Sequence, residues 1–93
     1  MTKNTSNKKN LLRVLTEITD PGVMDKFLTD ILTPQEYDDI ITRWQIVTHL
    51  VTGQPQRSIA KKLGVSIAKI TRGSRMLLNP KGGFHTVLTK VKK

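Results

Sequence analysis

The 93-residue chain contains no cysteine, so neither a disulfide framework nor a thiolate metal site is available to it. No apolar run approaches the ~20 residues that a membrane-spanning helix needs. The opening MTKNTSNKKN is polar and basic, and no apolar stretch of signal-peptide length and purity follows it. The expectation is a cytoplasmic protein with no membrane partner. Only four aromatic side chains are present, Phe27, Tyr37, Trp44 and Phe84, and their scatter argues against a stacking platform for single-stranded nucleic acid. The most telling absence is of carboxylates. All seven acidic residues lie between Glu17 and Asp39, and from residue 40 onward there is no Asp or Glu at all. Residues 1–39 sum to a charge of −2 and residues 40–93 to +11, within an overall +9. A basic half of this kind calls for a polyanionic partner.

What is present is helical. A chain of this length is expected to form one domain, and one whose core is marginal without further cover. An arm at residues 1–8 is expected to be disordered. Leu11, Leu12, Val14, Leu15 and Ile18 recur with helical spacing and predict a first helix from about Lys9 to Thr19. Asp20-Pro21 is a cap followed by a first-turn proline, and Val23, Met24, Phe27, Leu28 and Ile31 follow on a second helix. Thr33-Pro34-Gln35-Glu36 combines an N-cap hydroxyl, proline at N1 and glutamate at N3, which starts a third helix that runs to Thr52 and stops at Gly53. Its apolar arc, with Ile40, Ile41, Trp44, Val47, Leu50 and Val51, is too wide for a small monomer to cover and predicts burial in an oligomer. The dimerisation helices would therefore occupy residues 9–53.

Residues 54–78 predict a helix-turn-helix. Pro55 suits the first turn of a fourth helix that ends near Leu63, and Ser66 suits the N-cap of a fifth. Ala60 is small where the two helices approach, and Gly64 follows where the chain must turn with positive φ. Ile59, Leu63, Val65 and Ile70 supply the wedge between them. Asn79-Pro80-Lys81-Gly82-Gly83 breaks the chain before a short covering helix at 84–91 that carries Val87, Leu88 and Val91. No strand pattern occurs, so the fold class is all-α.

A helix-turn-helix in an acid-free half points to double-stranded DNA. Ser66, Ile67, Ala68, Lys69 and Thr71 would face the major groove, where Ile67 can meet a thymine methyl and Lys69 can reach guanine O6/N7. Gln56, Arg57, Lys61 and Lys62 would lie near phosphates or the groove edge. Gly73 falls on the inner face of the fifth helix, where an apolar side chain is expected. It leaves either a cavity or room for close backbone approach. A cavity there, with Arg72 at its rim, would suit a small carboxylate ligand with an apolar body.

Leu32-Thr33-Pro34, Arg43 within TRWQIV, and the run from Ser66 to Ser74 (SIAKITRGS) together resemble the bacterial tryptophan repressor family over about residues 30–78. The resemblance implies an intertwined all-α homodimer of about six helices that represses transcription by binding a palindromic operator, with L-tryptophan as corepressor and no cofactor. It implies that Arg72 pairs with the ligand carboxylate and that Gly73 makes space for the indole. The partner's Arg43 would stack on the opposite ring face, and Leu32 and Thr33 of the partner subunit would close the pocket, with carbonyls near Asp30 and Leu32 receiving the amino group. Met76 stands where the best-known members carry a serine that helps hold that amino group. The Gly53–Arg57 connection is one residue shorter than in those members, a form similar to a related repressor-like group with no assigned ligand. A regulator with another effector, or none, is therefore the alternative within this class.

Two other classes fit less well. A non-specific architectural or RNA-binding protein would account for the charge but not for the ordered helix-turn-helix. An enzyme is not expected, because His49 and His85 lie on different helices without a local carboxylate, and Ser58 and Ser74 have no identifiable base. No metal site is expected.

Overall fold

A computed structural model describes the backbone of residues 2–90 and the side chains of residues 4–89; Val91 lies outside the described residues. Six helices follow in order, α1 Thr2–Glu17, α2 Pro21–Ile31, α3 Pro34–Val51, α4 Gln56–Leu63, α5 Ile67–Leu77 and α6 Gly83–Lys90, with no strand among the described residues. The chain divides into two compact units, Met1–Tyr37 and Asp38–Lys93.

In the first unit, α1 begins at Thr2, so residues 2–8 are helical where a disordered arm was expected. The sequence there holds no Gly or Pro, and its polarity, which weighed toward disorder, does not by itself stop a helix from extending back from the Leu11–Leu15 segment. The start of α2 follows the local signal. Asp20 is the N-cap, its carboxylate accepts from the Val23 N–H at 2.9 Å, and Pro21 occupies the first turn. Leu32 closes α2 by donating its N–H to the Leu28 carbonyl at 3.0 Å. Thr33 and Glu36 then form a reciprocal capping box: the Glu36 N–H donates to Thr33 Oγ1 at 3.1 Å, and the Thr33 N–H donates to Glu36 Oε1 at 2.8 Å.

No described side chain of this unit is buried. Val14, Leu15, Ile18, Met24, Phe27 and Leu28 are half-buried, while Leu12, Val23 and Ile31 are about half exposed. Two amphipathic helices with this much apolar surface in water do not account for their own stability.

The second unit has the core. Ile59 and Ile70 are 0% exposed and Ile46 is 2% exposed, and Leu50, Ala60, Leu63 and Val65 pack around these three. Each isoleucine contributes about 1.5–3 kcal/mol by burial. Gly53 (φ +86°) ends α3, and Gly64 (φ +67°) turns the chain between α4 and α5. The Ala60 carbonyl accepts the N–H groups of both Gly64 and Val65, which closes α4 by a Schellman-type arrangement. Pro55 sits at the N-cap of α4, one position earlier than its expected place in the first turn. On the far side of the turn, Ser66 Oγ accepts the Lys69 N–H at 3.3 Å and starts α5. The position of α5 is thus fixed by one buried residue on each of three helices.

Ile59→Ala is expected to cost about 2–5 kcal/mol, read as a shift of the urea denaturation midpoint. Ile67→Ala, at a site 46% exposed, should change stability by about 0.5 kcal/mol or less. A second outcome concerns Tyr37, the sole tyrosine. Its hydroxyl donates to Asp25 Oδ1 at 2.9 Å. That hydrogen bond, then partial desolvation, then the Asp25 charge raise the phenol above its ordinary value near 10.0. A raised folded-state value means that the contribution to stability is complete below the unfolded value and is lost as pH rises through the folded one. Alkaline titration by ultraviolet difference absorbance should report the raised midpoint, and Asp25→Ala should return it toward that of a free tyrosine.

Candidate nucleic-acid interface and ligand cavity

The α4–turn–α5 pair presents one continuous exposed surface. Arg57, Lys61, Lys62, Ser66, Ile67, Ala68, Lys69 and Thr71 are all exposed, and Gln56 is half-buried. Their exposure follows from the helical period. Ile70 and Leu77 turn toward the core and α6 side of α5, which leaves Ala68 and Thr71 on the opposite, outward arc. Thr71 Oγ1 lies 3.0 Å from the Ile67 carbonyl and 3.4 Å from Gln56 Oε1, so the hydroxyl bridges the first turn of α4 and the second turn of α5. Arg75, one turn beyond Thr71, extends the exposed basic surface. In the sequence only its i+4 spacing from Thr71 marks it.

Beside this surface lies a cavity of about 340 Å³ within the second unit. Its apolar lining is Ile46, Val47, Gly73, Met76 and Phe84, and its polar lining is Asp39, Thr42, Arg43, Lys69 and Arg72. Arg72, Gly73, Met76 and Arg43 are therefore brought together around one cavity. Two features go beyond the expectation. Within one chain Arg43 already lines the cavity, while the arginine that the resemblance draws on is the partner's. The reason is spacing: Arg43 stands one turn before Ile46 and Val47 on the face of α3 that meets α5. Lys69, expected on the groove-reading surface, also lines the cavity. Leu32 and Thr33 belong to the other unit, where they serve as the caps described above. Asp39, Thr42 and Phe84 were missed. Asp39 and Thr42 could have been found by stepping back by helical turns from Ile46, whereas Phe84 depends on the path of the chain through residues 79–83.

Gly73 is a point of close approach. A Cβ placed there would lie 3.0 Å from Ile46 Cγ2 and 3.6 Å from Leu50 Cδ1. Of the two possibilities left open by the sequence, the absent side chain is used to seat α5 against α3, and the cavity opens alongside. Met76 and Phe84 also line a second apolar recess of about 660 Å³ with Trp44, Asn79, Gly82, Gly83 and Val87. The start of α6 is tied to the end of α5 by His85, whose Nε2 lies 2.6 Å from the Leu77 carbonyl. With an acceptor carbonyl opposite it, that nitrogen must carry the proton. No group of three His, Cys, Asp or Glu side chains could hold a metal among the described residues. No helix among them is long and apolar enough to cross a membrane.

The class these observations and the comparisons define is a transcription repressor, a regulatory and non-enzymatic protein. The chain belongs to the Trp repressor protein family, whose family model matches residues 6–92. It is 43% identical over 68 residues to a Trp operon repressor homolog of Xylella fastidiosa strain M23, covering 72% of this chain and 74% of that protein. A Trp operon repressor homolog of Actinobacillus succinogenes is 38% identical over 78 residues, covering 83% of this chain and 77% of its own length. One from Chlamydia trachomatis serovar L2 is 42% identical over 71 residues, with 71% and 76% covered. No solved structure matches the chain significantly.

Gly73→Ala is expected to destabilise the protein. A gain of about 0.5–1 kcal/mol in helix propensity is opposed by an overpacking cost of about 1–3 kcal/mol, because the new Cβ would lie 3.0 Å from Ile46 Cγ2 and a buried side chain would have to give way. Ile46→Leu removes the offending Cγ2 branch, so a double-mutant cycle by chemical denaturation should give a smaller cost for Gly73→Ala in that background.

Proposed function

We propose that this chain is a sequence-specific, operator-binding repressor that works as a homodimer in the cytoplasm, with its DNA affinity set by a small ligand in the cavity beside α5. The observation that carries the DNA reading is the exposed arc Ile67, Ala68, Lys69 and Thr71. It lies immediately after the Gly64 turn, is flanked by Arg57, Lys61 and Lys62, and stands in a half of the chain without one carboxylate after Asp39. Small or apolar side chains at the tip of a helix permit close approach to base edges, and the flanking cations neutralise phosphates. In helix-turn-helix dimers, for which tryptophan repressors are a standard example, two such helices sit about one DNA turn apart, roughly 34 Å. The uncovered apolar face of α1 and α2, and the exposed Ile40, Ile41 and Val51 of α3, support a dimer.

The relatives' name makes L-tryptophan the first ligand to test, with Arg72 on its carboxylate and Arg43 and Gly73 beside its ring. A regulator with a different effector is the second reading. It is favoured by Met76 in the lining, which offers no hydroxyl to an ammonium group, and by Lys69, an additional cation there.

Selection from a randomised duplex library should return a palindromic site. Against that site, Lys62→Ala should weaken specific and random DNA alike and lower the salt slope by about 1. Ile67→Ala should instead relax the preference at one thymine position by about 1 kcal/mol or more. A protein that returns no preferred site is a non-specific binder, and the reading fails. Calorimetry with L-tryptophan, with and without the selected site, tests the ligand. By linkage, a corepressor must bind more tightly to the DNA-bound protein. Sedimentation at micromolar concentration should find a dimer.

A further inference from the structure

Two rows of side chains face each other across the cavity. Asp39, Thr42, Arg43 and Ile46 recur at i, i+3, i+4 and i+7 on α3, and Lys69, Arg72, Gly73 and Met76 recur at the same intervals on α5. The close approach of Gly73 to Ile46 Cγ2 seats one row against the other. Asp39 is the only carboxylate in this lining among the described residues, and it is the last in the chain. Lys69 shares its helical phase with Gly73 and Met76 rather than with Ile67 and Thr71, so its stem leaves α5 on the cavity side. It also stands in the first turn of α5, where its N–H is capped by Ser66 and its neighbour is Ala68, at the tip proposed to enter the groove. The side chain is exposed. A four-carbon stem lets its ammonium either turn inward to the carboxylate or extend outward to the duplex. Arg43 and Arg72 share the field of Asp39, but Arg43 belongs to α3 and Arg72 lies a turn further from the tip, so Lys69 is the cation of the lining with access to both.

We propose that Asp39 and the operator compete for Lys69: in the free protein the carboxylate draws the ammonium into the cavity, and on DNA Lys69 leaves it for the duplex. Asp39 thereby sets operator affinity from inside the molecule, without touching DNA. The two destinations exclude each other, because one ammonium cannot lie in the cavity and on the duplex at once. The cost of leaving is that of an ion pair at a partly exposed site, about threefold in affinity. The inference rests on the reading of α5 as the helix that meets DNA, and adds to it the residue that restrains one of its cations.

The test is a double-mutant cycle on operator affinity, measured by fluorescence anisotropy with the full-length protein and the selected palindromic duplex at moderate salt. Asp39→Asn removes the charge and keeps the shape, and Lys69→Met removes the ammonium and keeps the stem. Asp39→Asn is expected to tighten operator binding about threefold where Lys69 is present, and to leave it unchanged where Lys69→Met has removed the ammonium. Asp39→Glu, which keeps the charge, should bind as the unaltered protein does. Asp38→Asn, an equal charge change at an exposed residue outside the cavity lining, should show no dependence on Lys69. Urea midpoints for every variant separate a loss of folding from a change in affinity. No tightening in a folded Asp39→Asn protein overturns the proposal. So does the same tightening with and without Lys69, which would be plain repulsion between Asp39 and the phosphates. A protein with no preferred duplex overturns both this inference and the DNA reading, whereas a selected site bound with additive changes overturns this inference alone.

Discussion

Everything in the second unit depends on how closely α5 can lie against α3. The missing side chain at Gly73 allows Ile46 and Leu50 to come within 3.0 and 3.6 Å of where a Cβ would stand. That contact sets Ile70 against Ile46 and Ile59, which together form the only buried isoleucine cluster among the described residues. A larger residue at position 73 would shift the helix that carries both the outward arc and one wall of the cavity. A position that looks like a gap in the sequence is therefore the fulcrum of the unit, and the glycine's helix-propensity penalty of roughly 1 kcal/mol is offset by the packing it permits.

The same geometry explains why interface and cavity share residues. The arc of α5 that avoids the core is broad, and helical periodicity divides it between two tasks. Ile67, Ala68 and Thr71 point outward, Lys69, Gly73 and Met76 share the cavity side, and Arg72 stands between. A long flexible side chain at such a border can serve either surface. The charge distribution fits this arrangement, since the lack of carboxylates beyond Asp39 leaves no internal partner on α4, α5 or α6 to neutralise these cations.

Much of the fold could be read from the sequence because its punctuation is local. Asp20-Pro21, the Thr33–Glu36 box, Ser66, Gly53 and Gly64 each act through hydrogen bonds or backbone angles within a few residues, and each sits at a helix boundary in the structure. The start of α1 is not readable in this way, because residues 2–8 contain no breaker and their polarity alone favours disorder. The site was legible in part. Arg72, Gly73 and Met76 follow from the phase of α5, and Arg43 follows once α3 is known to pack there. That Arg43, Lys69 and Phe84 come together around one cavity is a consequence of tertiary packing, which no short window of sequence encodes.

Met76 and Phe84 belong to the walls of two hollows at once, the charged one beside α5 and the apolar recess that contains Trp44. A shared wall makes the two volumes reciprocal: whatever pushes these side chains aside to enlarge one space does so at the expense of the other. The recess thus acts as the compliance of the cavity, and any molecule that came to rest on Trp44 would stiffen that wall from behind.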